Sequence, residues 1–194
     1  MKKIITHGIK DSEFIRGEVP MTKEEVRIIS ISKLELTENS LFYDIGSGTG
    51  SIAIESATLS TSLKVFAIET NPAAVDLIRQ NKEKFKADNI EIIEGLAPSA
   101  LENLPVPTHA FIGGTKGNLK SILEILYKKN SRMRIVMNAI SLESISEMTD
   151  SIKSFRIEND EIIQVGISKA NRIGNYHIMQ ANNPVFIFSF NFAG

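Results

Sequence analysis

The stretch that most constrains this chain is Leu41-Phe42-Tyr43-Asp44-Ile45-Gly46-Ser47-Gly48-Thr49-Gly50. An apolar run ends near an acid, alternate glycines follow, and Ser51-Ile52-Ala53-Ile54-Glu55 begins a helical pattern. This order predicts a buried strand, a tight backbone turn and a helix N-terminus. Glycine is required where the backbone must reach positive φ or approach a ligand closely. A helix N-terminus adds unpaired N–H groups and a partial positive charge. Together they form a cradle for a nucleotide-like ligand or an amino-acid carboxylate.

The spacing is G-x-G-x-G, and Ser51 stands where a dinucleotide fingerprint needs its last glycine. With an acid two residues before the first glycine, the motif resembles the first motif of class I S-adenosylmethionine (SAM) methyltransferases. Lys64-Val65-Phe66-Ala67-Ile68-Glu69 reads as a second strand ending in an acid. Its place along the chain suits a ribose-binding carboxylate. A Gly-rich turn of an ordinary α/β protein and a surface acid are the alternatives for the two motifs.

Composition narrows the chemistry. The 194 residues suit a single domain with a substantial core. A net charge of −1 gives no basis for non-specific nucleic-acid binding. The absence of cysteine excludes a thiol nucleophile, a thiolate-ligated metal and a disulfide framework. Met1-Lys2-Lys3-Ile4-Ile5 lacks the apolar core of a signal peptide, and no apolar run is long enough to span a bilayer. The expectation is a cytoplasmic enzyme with no metal and no membrane partner.

Along the chain, residues 8–21 are turn-rich, and Thr22-Lys23-Glu24-Glu25 reads as a capping box. A helix follows with Val26, Ile28, Ile29 and Leu34 inward, so residues 1–35 form an N-terminal lid or flank. After Glu69, Asn71 caps a helix that begins at Pro72. Ile90–Glu94 is a third strand, and Pro98-Ser99 opens a helix with Ala100, Leu101 and Leu104 apolar. Thr108–Ile112 is a fourth strand, in which His109 reads as structural. Asn118 caps Leu119–Lys129, Arg134–Ala139 is a fifth strand, and Leu142–Phe155 a further helix. Glu161–Ile167 and Pro184–Phe190 are a last pair of strands, with a loop from Ser168 to Asn183 between them. Strands alternate with helices until that final pair. The fold class is α/β: a Rossmann-like, mostly parallel sheet closed by an antiparallel C-terminal hairpin.

On this plan the ligand lies across the carboxyl ends of the first two strands. Gly46, Ser47, Gly48, Thr49 and Gly50 approach its methionine moiety, Glu69 takes the ribose hydroxyls, and Leu96 and Ala97 meet the adenine. The fourth strand ends in Ile112-Gly113-Gly114-Thr115, without the Asn-Pro-Pro-aromatic run of amino-group base methyltransferases. Without a cysteine, pyrimidine C5 chemistry is excluded as well. The substrate is therefore one that is already nucleophilic, and Gly113 and Gly114 leave room for a broad, flat one.

Several segments then resemble one family specifically. They are Gly8–Arg16, Val19–Arg27, Asp44–Gly50, Glu94-Gly95 with Ala97-Pro98, Phe111–Gly114, Leu142-Glu143-Ser144 and Asn183-Pro184-Val185. They are similar to the decarboxylating C15-methyltransferases of the precorrin-6B and cobalt-precorrin-6B step in cobalamin biosynthesis. The resemblance implies SAM as methyl donor, a corrinoid precursor as substrate and a homotetramer. The length matches the stand-alone form, which points to the cobalt-dependent route. SAM contacts carried over by the resemblance fall on Thr22, Gly46–Gly50, Glu69 and Ala97. The chain departs from the family at Leu96, where an aspartate is usual; the adenine contact would then rest on backbone groups and apolar packing.

Such a substrate is electron-rich at its meso carbon, so methyl transfer needs chiefly alignment. The conjugated ring accepts the electrons released as the ring C acetate loses its carboxylate. Arg16, Lys116, Lys169 and Arg172 are the candidates to balance substrate carboxylates; no general base is assigned. A transfer-RNA methyltransferase of the same fold is one rival, but it calls for a basic face and RNA-binding segments. A non-catalytic SAM-binding subunit is the other, supported by Leu96 alone.

Overall fold

The structure is a computed structural model that describes residues 6–194. The reading of Met1–Ile5 as lacking a leader's apolar core, and the first five positions of the 1–35 flank, lie outside the described residues.

The chain folds as α1 (Glu24–Leu34), β1 (Leu41–Ile45), α2 (Ser51–Leu59), β2 (Lys64–Glu69), α3 (Pro72–Phe85), β3 (Ile90–Glu94) and β4 (His109–Ile112). It continues through α4 (Leu119–Lys129), β5 (Arg134–Ala139), α5 (Leu142–Ile152), β6 (Ile157–Val165), β7 (Ser168–Ile173), β8 (Tyr176–Ala181) and β9 (Val185–Phe192). The main sheet runs β3-β2-β1-β4-β5-β9-β6. Its first five strands are parallel, and β9 enters antiparallel between β5 and β6. This is the expected α/β class with its antiparallel closure.

The central strands are buried on both faces, which is why they read as continuous apolar runs rather than alternating ones. Alternate residues feed two cores. Phe42, Val65, Ala67, Phe111 and Val136 pack with α1, α2 and α3. Tyr43, Phe66, Ile68, Ile112 and Met137 pack with α4 and α5. Strand order reverses between β1 and β4, which opens a crevice at their carboxyl ends where ligands of open α/β sheets bind.

Several local expectations are corrected. The capping box at Thr22–Glu25 does not form: Lys23 is the N-cap and no side chain caps the helix. The Glu25 carboxylate instead meets Lys169 at 2.6 Å, and the Thr22 carbonyl accepts from Arg27 at 2.6 Å. Charge-assisted long-range partners outcompete the local reach-back. The buried face of α1 is Val26, Arg27, Ser30, Ile31 and Leu34; Ile28 and Ile29 are only half-buried. Pro98-Ser99 opens a single 3₁₀ turn, Ser99–Leu101, rather than a helix, since Pro105 and Pro107 follow closely. Asn118 starts α4 without capping it through its side chain, and α5 ends at Ile152. The segment read as a loop from Ser168 to Asn183 is largely the exposed hairpin β7–β8. By contrast Asn71 does cap α3, accepting from the Ala73 N–H at 3.0 Å, with Pro72 at the first helical position.

Candidate functional site

The glycine turn is built as its sequence demands. Gly46 has φ +70° and Gly48 φ +58°. A Cβ on Gly46 would sit 2.6 Å from the Gly114 carbonyl oxygen, so the first glycine lets the β1 and β4 exits touch. A Cβ on Gly48 would come within 3.3 Å of the Pro20 carbonyl oxygen, so that glycine admits the N-terminal segment. Three parts of the chain thus converge on one turn.

They enclose a cleft of about 710 Å³, within the roughly 300–1,000 Å³ usual for ligand sites. Val19–Lys23 form one wall, Gly46–Gly48 and Glu69 the floor, and Gly113, Gly114 and Lys116 another wall. Asn138, Ile140, Asn182, Asn183 and Val185 complete the lining. A smaller hollow of about 160 Å³ shares Gly46, Glu69, Gly114 and Lys116 with it and is closed by Gly95, Leu96 and Ala97.

Glu69 is nearly buried at the end of β2. Its Oε2 accepts from the Gly48 N–H at 2.8 Å. Its Oε1 accepts from the Thr70 and Asn71 N–H groups at 2.7 and 2.8 Å. The carboxylate therefore ties the glycine turn to β2 while it faces both hollows. Asp44 lies beneath the turn. Its Oδ2 accepts from Ser47 Oγ at 2.6 Å and from the Ala53 N–H at 3.1 Å, whereas its Oδ1 is buried without a partner. Burial pushes the Asp44 carboxyl up to about 7, opposed by the Ser47 and Ala53 hydrogen bonds and reinforced by the neighbouring charge of Glu69. An unpartnered buried acceptor is costly on its own and is relieved by a cationic donor. The cleft floor thus fits a ligand that carries hydroxyls and an ammonium group.

The N-terminal wall is fixed by a buried ion pair. Arg27, fully buried, donates from Nε to Glu55 Oε2 at 2.7 Å. Its guanidinium also reaches Asp11 at 3.2 Å, the Thr22 carbonyl and the Ile9 carbonyl. Glu55 in turn accepts from the Gly8 and Ile9 N–H groups at 2.7 and 3.2 Å.

Of the residues singled out in the sequence, Thr22, Gly46, Ser47, Gly48 and Glu69 line the large cleft, and Leu96 and Ala97 line the smaller hollow. Thr49 and Gly50 sit behind the turn, the latter as the N-cap of α2. Gly113, Gly114 and Lys116 line the cleft on the β4 side. Arg16, Lys169 and Arg172 do not line the cleft. Arg16 is exposed, Lys169 is engaged by Glu25, and Arg172 Nε donates to the Gly174 carbonyl within its own hairpin. His109 sits at the start of β4 beside Thr108, away from the lining, and burial with the nearby Arg134 charge lowers it to about 4. Lys23, Asn138, Ile140, Asn182 and Asn183 were not singled out. Lys23 and Asn183 lie in segments that carry the family resemblance; nothing local marks Asn138, which reaches the cleft only through its position at the end of β5.

The family model described as precorrin methyltransferase domain matches residues 13–191. A probable cobalt-precorrin-6B C(15)-methyltransferase (decarboxylating) of Sulfurisphaera tokodaii is 41% identical over 93% of this chain and 95% of its own. The Salmonella typhimurium protein named as the same enzyme is 37% identical over 93% and 94%. A solved structure described as precorrin-6y C5,15-methyltransferase from Geobacter metallireducens superposes with a TM-score of 0.90 at 33% identity, covering 95% of this chain and 98% of that one. The chain belongs to the precorrin methyltransferase family.

Proposed function

We propose that this chain methylates C15 of a precorrin-6B-type tetrapyrrole, in its cobalt form, with loss of the ring C acetate carboxylate as carbon dioxide. The observation that carries this reading is the match to decarboxylating C15-methyltransferases along nearly the whole chain, joined to a cleft whose floor suits SAM. When bound, SAM supplies an electrophilic methyl group on its sulfonium. Thr22, Gly46–Gly48, Glu69, Leu96 and Ala97 would hold it: Glu69 the ribose hydroxyls, Asp44 and the glycine turn the methionine end, Leu96 and Ala97 the adenine by apolar contact.

The macrocycle is its own nucleophile, which accords with a chain that has no cysteine and whose described histidines do not line the cleft. The protein's part is alignment and exclusion of water. Apolar walls from Met21, Val26, Ile52, Phe111, Ile140 and Val185 suit a broad ring, and no atom crowds the Gly114 side of the rim. No helix among the described residues is long and apolar enough to cross a membrane. We take the chain to be one domain acting in the cytoplasm as a homotetramer, which light scattering of the purified protein tests.

The activity is tested by incubation with methyl-labelled SAM and enzymatically prepared cobalt-precorrin-6B. The expected result is stoichiometric methyl uptake and carbon dioxide release. Methyl uptake without carbon dioxide would remove the decarboxylating half of the proposal, and neither would remove both.

A further inference from the structure

The charged side chains lining the cleft, among the described residues, are Asp44, Glu69, Lys23 and Lys116. The two acids lie on the floor and are engaged by backbone and hydroxyl donors. The two lysines lie on separate walls, Lys23 on the N-terminal segment and Lys116 on the loop between β4 and α4. Lys116 takes part in none of the ion pairs found among the described residues. The Lys23 ammonium is 3.9 Å from Asp11 Oδ2, at the outer edge of ion-pair range, while Asp11 Oδ1 serves Arg27 at 3.2 Å. Lys116 is also one of four described non-glycine residues at positive φ, at +50°. Such backbone is unfavourable for a side chain with a Cβ, and it clusters at ligand clamps.

We propose that Lys23 and Lys116 form a two-point clamp for substrate carboxylates, one from each wall, with the flat body of the substrate on the apolar lining between them. The clamp rests on the reading that the substrate is a carboxylate-bearing macrocycle, since a decarboxylation requires at least one such group. The lysines hold carboxylates that stay. An ammonium on the carboxylate that leaves would stabilise the ground state and lose its partner as the carbon–carbon bond breaks, which raises the barrier. Lys23 thereby takes the role for which the sequence offered Arg16, Lys169 and Arg172.

The test is a titration of cobyrinic acid, a cobalt corrinoid with free carboxylates, and of its fully esterified form, into the parent, Lys23→Gln, Lys116→Gln, the double variant and Lys23→Arg. A surface control, Lys153→Gln, removes a cation paired with Asp150 on α5 and its end. The parent should prefer the acid over the ester, and this preference should shrink at high salt. Each Gln variant should bind the acid on the order of ten-fold more weakly at low salt, with ester affinity unchanged. Lys23→Arg should restore most of the loss, and Lys153→Gln should match the parent. Variants that bind the acid as the parent does would overturn the clamp and leave the corrinoid reading standing. A parent that binds neither form would remove the corrinoid reading and the clamp with it.

Discussion

The N-terminal segment, residues 8–23, and the β7–β8 hairpin both end at the cleft, but they are joined to the body by opposite physics. The first supplies Val19–Lys23 to the lining, and the chain leaving the second supplies Asn182 and Asn183. The N-terminal segment is pinned from beneath by the fully buried Arg27–Glu55 pair and by Phe14, whose ring lies 4.7 Å from the Arg27 guanidinium carbon. Asn81 on α3 adds a second pin, bonding the Ile15 N–H and carbonyl at 2.8 and 3.1 Å and the Thr49 carbonyl at 3.2 Å. The hairpin has no buried residue, pairs only with itself in the ladder, and meets α1 through the Lys169–Glu25 ion pair. A buried ion pair is expensive to desolvate, so its value lies in fixing one geometry. The wall nearest the glycine turn is the one that needs this.

The contrast can be broken most severely at Glu55. Glu55→Ala leaves Arg27 buried without its anion, so urea unfolding should show a loss of about 3–5 kcal/mol. A loss under about 1 kcal/mol would mean that the N-terminal segment is held no more firmly than the hairpin.

Gly48→Val attacks the joint between that segment and the turn. Left-handed backbone strain should cost about 1–2 kcal/mol of stability, and the side chain would press on Pro20. Cooperative unfolding should persist while SAM binding disappears. If the variant binds SAM like the parent, the turn is structural only.

The hairpin's ion pair and the cleft floor should also differ in their response to pH. In the Lys169–Glu25 pair the hydrogen bond between the partners is the leading cause of both shifts, lowering Glu25 and raising Lys169, so the pair keeps its charge through neutrality. Asp44, raised to about 7, changes charge there. Its raised value favours the neutral form in the free protein: that stabilisation is full below the usual carboxylate range and fades as pH rises through about 7. A cationic ligand needs the carboxylate, so SAM affinity should fall below pH 7, by at most roughly ten-fold per unit. Calorimetry across pH measures this, and Asp44→Asn should flatten the profile. A pH-independent parent would remove Asp44 from the ligand's surroundings.

The smallest effect should come from Lys169→Ala. Its partly exposed pair is worth under about 1 kcal/mol and less in high salt. Thermal unfolding at two ionic strengths checks it, and a larger, salt-insensitive loss would mean the hairpin is anchored by more than this pair.

The same contrast marks what the sequence made legible. Buried parallel strands announce themselves as apolar runs, and the glycine turn with Glu69 follows from local spacing, so the sheet and the cleft floor were readable. The N-terminal wall was not. Arg27 and Glu55 look like ordinary helix-surface charges, and only their meeting across 28 positions makes them interior. The failed capping box has a similar cause, because Glu25 finds Lys169 far along the chain. The hairpin escaped for the reverse reason. With no buried face, Ser168–Ile173 and Tyr176–Ala181 show no clear alternation, yet Gly174-Asn175 between them is a two-residue hairpin signal, and Gly174 does take φ +60°. Arg16 and Arg172 were offered as substrate contacts because of their charge, and charge alone says nothing about which wall a side chain reaches.

In the proposed site SAM lies against the glycine turn with Glu69 as its ribose ligand. Calorimetric titration of SAM into the parent and Glu69→Gln tests it most directly. The amide keeps an acceptor for the Gly48 N–H, turns its NH2 toward the Thr70 and Asn71 N–H groups and removes the charge, so affinity should fall by at least roughly 1.5 kcal/mol, about ten-fold. An unchanged dissociation constant in a variant that unfolds like the parent would contradict the claim.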